Sequence, residues 1–104
     1  MAKKRIPKKI RSEIDDYLNR LEEISLTAVF LFGSQAKGTA RKWSDIDICV
    51  ISPDFGKMDS WKYLWDKKAD FNAKYVQPIG FAPQDFIDEN PLVHEIKTHG
   101  IKLR

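Results

Sequence analysis

A chain of 104 residues with 42% hydrophobic and 12% aromatic content has material for one compact domain with a modest core and no room for a second. Its net charge of +3 is uneven: Lys3, Lys4, Arg5, Lys8, Lys9 and Arg11 form a basic arm free of acids over residues 1–11, while the remainder carries 12 cations against 15 acids. A single cysteine excludes an internal disulfide framework and a cysteine-rich zinc site, and no apolar stretch approaches the roughly 20 residues that span a bilayer, so a membrane role is not expected and the compartment expected is the cytoplasm.

In chain order, Ile6, Ile10, Ile14, Leu18 and Leu21 recur at steps of four and three, which predicts one apolar stripe along a helix over residues 7–24, with Pro7 in its first turn. Ala28 to Phe32 is a continuous apolar run closed by Gly33, the pattern of a strand buried on both faces. Ile46, Ile48 and Val50 alternate with Asp45, Asp47 and Cys49, predicting a strand with one apolar face and one that begins with two carboxylates. Ser52 to Gly56 supplies turn chemistry. Trp61, Leu64, Trp65 and Ala69 follow helical spacing from about Asp59 to Lys74, and the tryptophans are assigned to the core. Tyr75 to Phe81 reads as a third strand in which Pro78 requires a bulge or an edge. A helix over 91–99 and a last strand over 101–103 complete the chain.

The chemistry concentrates in Gly33-Ser34, separated by ten residues from Asp45-Ile46-Asp47. Carboxylates at i and i+2 of a strand project to the same side, close enough to share Mg²⁺, a hard ion that prefers oxygen ligands and phosphates. Gly33 lets the chain turn and lets amides approach an anion, and Ser34 is placed to open a short helix whose free N–H groups favour phosphate. Lys37, Arg41 and Lys42 in the intervening loop can neutralise phosphate, Arg41 best because a guanidinium binds in a fork, and Ser44 is a further phosphate-binding candidate. Cys49 reads as a small buried hydrophobe, and His94 and His99 are given no role.

This constellation resembles the minimal nucleotidyltransferases of the DNA polymerase beta-like superfamily. The resemblance extends to Gln77-Pro78-Ile79-Gly80-Phe81, Asp85-Phe86, Asn90-Pro91-Leu92-Val93 and Gly100-Ile101. It implies an α/β (α+β) fold with a small mixed β-sheet and helices packed mainly on one side. It also implies an Mg²⁺-dependent transfer, over a two-metal site, of a nucleoside monophosphate, AMP from ATP being the expectation. Asp45 and Asp47 would be the catalytic and metal residues. Members of this family are often encoded beside a HEPN-type partner, for which they act as antitoxins, so a partner protein or a homo-oligomer is expected to present the acceptor. The family's third carboxylate aligns best with Gln77; an amide cannot serve as a base and is a weaker metal ligand. That substitution keeps open a second reading, a degenerate module that acts by protein–protein binding, and the basic arm keeps open a third, contact with nucleic acid.

Overall fold

The computed structural model describes residues 6–38 and 45–104. Four strands form one mixed sheet: β1 (Ala28–Phe32), β2 (Ile46–Ile51), β3 (Val76–Phe81) and β4 (Ile101–Lys102), in the order β3-β2-β1-β4. β1 runs antiparallel to both β2 and β4, whereas β2 and β3 are parallel and joined through a helix, as parallel neighbours require. The helices are α1 (Lys8–Leu18), α2 (Ser34–Lys37), α3 (Ser60–Asp70) and α4 (Pro91–His99), with 3₁₀ turns at Pro53–Gly56 and Pro83–Asp85.

The strand alternation sorts side chains onto two faces. Val29, Leu31, Ile46, Ile48, Val50 and Val76 point to the side covered by Ile14, Tyr17 and Leu18 of α1, Leu64 of α3 and Ala36 of α2, where the main core forms. On the other side Ala28, Cys49 and Ile51 meet Ile96 of α4, flanked by Phe30, Ile79, Phe81 and Phe86. The helices thus lie mainly on one side, and α4 closes part of the other.

The first helix is shorter than its stripe of apolar residues predicts. It spans Lys8–Leu18, with Pro7 as the N-cap rather than inside the first turn. Beyond Leu18 the bonds shorten to three-residue spans, Arg20 to Tyr17 and Leu21 to Leu18, so Leu21 and Ile24 reach the core from a turn. The other long helix also stops early, at Asp70, because Asn72 adopts a left-handed φ of 51° that no helix continues through. Pro78 sits on the edge strand β3, where its missing N–H costs no ladder bond, and Trp65 donates its indole N–H to the Pro78 carbonyl.

The assignment of the α3 tryptophans to the core is overturned for Trp61, whereas Trp65 packs partly buried against the main core. Only Leu64 of α3 is fully buried; Trp61 is 62% exposed and stacks on the half-buried Trp65 at 4.6 Å between ring centroids. The spacing that marked an apolar stripe is genuine, but the core takes in Leu64 fully, Trp65 in part and Trp61 not at all.

Candidate active site

β1 delivers the chain to Gly33, whose φ of 73° and ψ of −153° turn it sharply out of the sheet and into α2. That conformation is open to glycine and strained for other residues. A second constraint acts at the same atom: a Cβ at Gly33 would run into the Asp47 carboxylate. Glycine is therefore required both to make the turn and to admit the acid beside it. Ser34 follows as the first residue of α2, so its N–H has no intrahelical acceptor, and the helix closes one turn later on Gly38 in the left-handed conformation.

Asp45 stands exposed immediately before β2, and Asp47 lies within it, half-buried. Asp47 faces Phe32, the residue before Gly33, across the antiparallel ladder. Burial, and secondarily the charge of Asp45, push the Asp47 carboxyl above its ordinary range. Among the described residues neither acid has an ion-pair partner within 4 Å. Two like charges held together, one of them partly desolvated, form a site that favours a cation.

On the other side of β2, Gln77 is the register partner of Asp47 in the parallel ladder, so the two side chains leave the sheet on the same face. The amide is thus where the resemblance places a third carboxylate. The nearest alternative acids do not compete: Asp70 ends α3 and Asp85 lies in a 3₁₀ turn. No group of three or more His, Cys, Asp or Glu side chains is placed to hold a metal among the described residues. The available donor set is two carboxylates and an amide, all oxygen donors, and it suits a hard divalent ion shared with phosphate.

The candidate phosphate ligands divide. Gly33 and Ser34 are at the site. Lys37 is not in a loop, as the spacing suggested, but in the last turn of α2, where its ammonium pairs with Glu95 of α4 at 2.8 Å. A carboxylate four residues from His99, chosen by tertiary packing, holds it. Arg41, Lys42 and Ser44 lie outside the described residues, as do Lys3, Lys4 and Arg5 of the basic arm. Of the remaining arm residues, Lys8 and Lys9 open α1, and Arg11 pairs with Asp15 at 3.2 Å. Cys49 is buried as expected, its thiol pushed up to about 12 by burial, which leaves it inert. His94 and His99 lie on α4, where His99 is 3.9 Å from Glu95.

One residue near the site escaped the sequence reading. Lys68 of α3 lies over the Trp65 ring, 4.2 Å from its centroid; burial lowers its pKa, while the negative charge of Asp45 opposes that shift. Its position follows from the exposed placement of the tryptophans, which the apolar periodicity did not disclose.

The arrangement is that of a nucleotidyltransferase domain. The sequence pattern of that family matches residues 11–103, nearly the whole chain, and the chain belongs to it. A Methanocaldococcus jannaschii protein, provisionally named as a protein adenylyltransferase, is 33% identical over 106 residues, covering 92% of this chain and 71% of that protein. Solved structures share the fold. A provisionally named nucleotidyltransferase from Sulfolobus solfataricus superposes with a TM-score of 0.61 at 18% identity, covering 98% of this chain and 89% of its own. A toxin–antitoxin complex with AMP-PNP gives 0.60 at 24% identity, covering 89% and 71%, and a mutant MntA-HpeT toxin–antitoxin gives 0.52 at 21%, covering 92% and 70%. This protein is accordingly a nucleotidyltransferase.

Proposed function

We propose that this domain transfers AMP from ATP, with Mg²⁺, to a hydroxyl of a partner macromolecule, as the antitoxin of a HEPN-type toxin does. The observation that carries the reading is the packing of Gly33 under Asp47: the phosphate turn and the acid pair are one structure, not two motifs that happen to share a chain. The similarity to a provisionally named protein adenylyltransferase supports AMP and a protein acceptor, and the toxin–antitoxin structures of the same fold support the partner.

In this reading the Gly33-Ser34 turn holds the β- and γ-phosphates by its amides and the Ser34 hydroxyl. Asp45 and Asp47 would hold the metal, which when bound neutralises the charge that builds on phosphate oxygens during transfer. The acceptor hydroxyl gives its proton to solvent water, its oxygen forms a bond to the α-phosphorus as the bond to the bridging oxygen breaks, and pyrophosphate leaves. Because β2 lies between β1 and β3, a triphosphate tail over the β1 turn leaves the β3 side, at Gln77, for the incoming hydroxyl. Gln77 can orient that hydroxyl through its amide but cannot accept its proton. Arg41 and Ser44, in the segment between Gly38 and Asp45, complete the phosphate pocket in this proposal, whereas Lys37 would contribute only by exchanging Glu95 for phosphate.

The test is intact-mass analysis of the protein and its neighbour-encoded partner after incubation with ATP and Mg²⁺. One or more AMP units are expected on the partner, with none when Asp45→Asn is used. A Gln77→Glu variant should accelerate transfer by about tenfold or more, since a positioned general base contributes roughly 10²–10⁴. Gln77 also favours a second reading, inhibition of the partner by docking alone. That reading requires the partner to co-purify unmodified and to remain inhibited by the Asp45→Asn, Asp47→Asn double variant.

A further inference from the structure

Beyond the acid pair, the most unusual surface of the molecule is the rim formed by the end of α3, the loop to β3 and the second half of α1. Three cations there have no ion-pair partner among the described residues, and each is laid on an aromatic ring. Arg20 lies over Phe71 at 4.6 Å, Lys68 over Trp65 at 4.2 Å and Lys74 over Tyr75 at 5.6 Å. They surround two depressions, of about 550 and 260 Å³, that share Asn72, Ala73 and Lys74. Trp61, stacked on Trp65 and open to solvent, extends the strip along α3.

Other cations on the same helix are neutralised. Lys62 pairs with Asp66 at 2.8 Å and Lys67 with Glu23 at 3.0 Å, so the charge left over is confined to the strip. The larger depression also has two acids, Glu13 and Asp16, on its α1 wall. A polyanion is therefore directed away from that wall, toward Lys74 and on to Lys68 in the smaller depression. The strip reaches the catalytic strands: the Tyr75 carbonyl accepts the N–H of Ile46, the residue between the two aspartates, at 2.7 Å.

Cations laid beside rings of which Trp61 and Phe71 are exposed, along two adjoining depressions, match the chemistry of single-stranded polynucleotides, whose phosphates seek the charges and whose bases stack on the rings. A folded protein partner would be expected to cover the indoles with apolar side chains and has no use for three uncompensated cations in a row. We propose that the strip from Trp61 through Lys68 to Arg20 and Lys74 binds single-stranded nucleic acid. This site is distinct from the basic arm and independent of the transfer chemistry.

The test is fluorescence anisotropy of a labelled single-stranded oligonucleotide of about 12 nucleotides with the full chain, titrated with salt. Binding is expected to quench the indole emission, and log K should fall with log salt at a slope of about −2, as three neutralised phosphates of a single strand give. Replacing Arg20→Gln, Lys68→Gln and Lys74→Gln together should weaken binding at least tenfold and flatten that slope. Trp61→Ala, a change at an exposed position that the fold does not need, should weaken it severalfold without altering the slope. The proposal is overturned by absence of binding at low salt. It is equally overturned if affinity survives the triple substitution but is lost on replacing Lys3, Lys4 and Arg5 by Gln, which would assign the contact to the arm, or if the triple variant loses only co-purification with a protein.

Discussion

Gly33 carries two duties that one mutation separates from ordinary loop tolerance. Gly33→Ala forces a side chain into a positive-φ position and against the Asp47 carboxylate, so a cost of about 1–3 kcal/mol in unfolding free energy is expected. Urea denaturation measures it, and nucleotide affinity should fall in the same variant because the turn must move. Asp47 offers a prediction of opposite sign. Its folded pKa is raised, so between the unfolded and folded values the native state holds the extra proton, and stability falls as pH rises through that window. The penalty is absent below the unfolded value and fully present at neutral pH. Asp47→Asn should therefore raise Tm at about pH 7 relative to the parent, and the two should converge toward about pH 3. Thermal melts across that range decide it; a variant less stable at neutral pH would show that the carboxylate is held by favourable contacts instead.

The elements are tied together by a few directional bonds inside an otherwise apolar core. Tyr17 is buried and donates its hydroxyl to the Leu64 carbonyl at 2.7 Å, fixing α1 against α3; burial raises its pKa far enough that it stays a donor throughout the working range. Tyr17→Phe should cost about 1 kcal/mol, the net worth of one such bond. Leu64→Ala, which empties the space between the same helices, should cost about 2–5 kcal/mol. Chemical denaturation of the two variants compares them directly. If the hydroxyl deletion proves as damaging as the cavity, the helix pair depends on the bond more than on packing. At the far edge Leu103 donates to Val29 at 2.7 Å, so the last residues cover a side of β1 that would otherwise be an open edge.

For the molecule as a whole, the sheet order is what makes a site. β1 and β2 are antiparallel, so the end of one and the start of the other coincide, and Gly33 meets Asp47 there; β3, parallel to β2, begins at the same end and adds Gln77. A ligand that bridges these three strand ends should stabilise the entire fold. Mg²⁺ with a non-hydrolysable ATP analogue at a hundredfold excess over Kd is expected to add about 2.7 kcal/mol, several degrees in Tm for a chain of this size. The Asp45→Asn, Asp47→Asn variant should show no metal-dependent part of that shift, which differential scanning fluorimetry reads. No helix among the described residues is long and apolar enough to cross a membrane.

The sequence by itself determined the strands and the chemistry. Ala28–Phe32, the start of the second strand at Ile46 and the helix at Pro91–His99 stand where apolar runs, alternation and the Asn90 cap place them, because these signals are local. The pairing of Gly-Ser with Asp-x-Asp was likewise legible, since both are residue types at a fixed separation along the chain. Periodicity could not say how much of a stripe the core would accept: Leu64 went in and Trp61 stayed out, and α1 ended at Leu18 while Leu21 and Ile24 packed from a turn. Nor could spacing disclose that Lys37 would be held by Glu95. Those outcomes depend on which distant segments become neighbours, and that is decided by the packing of helices on a sheet rather than by any residue's own neighbours in the chain.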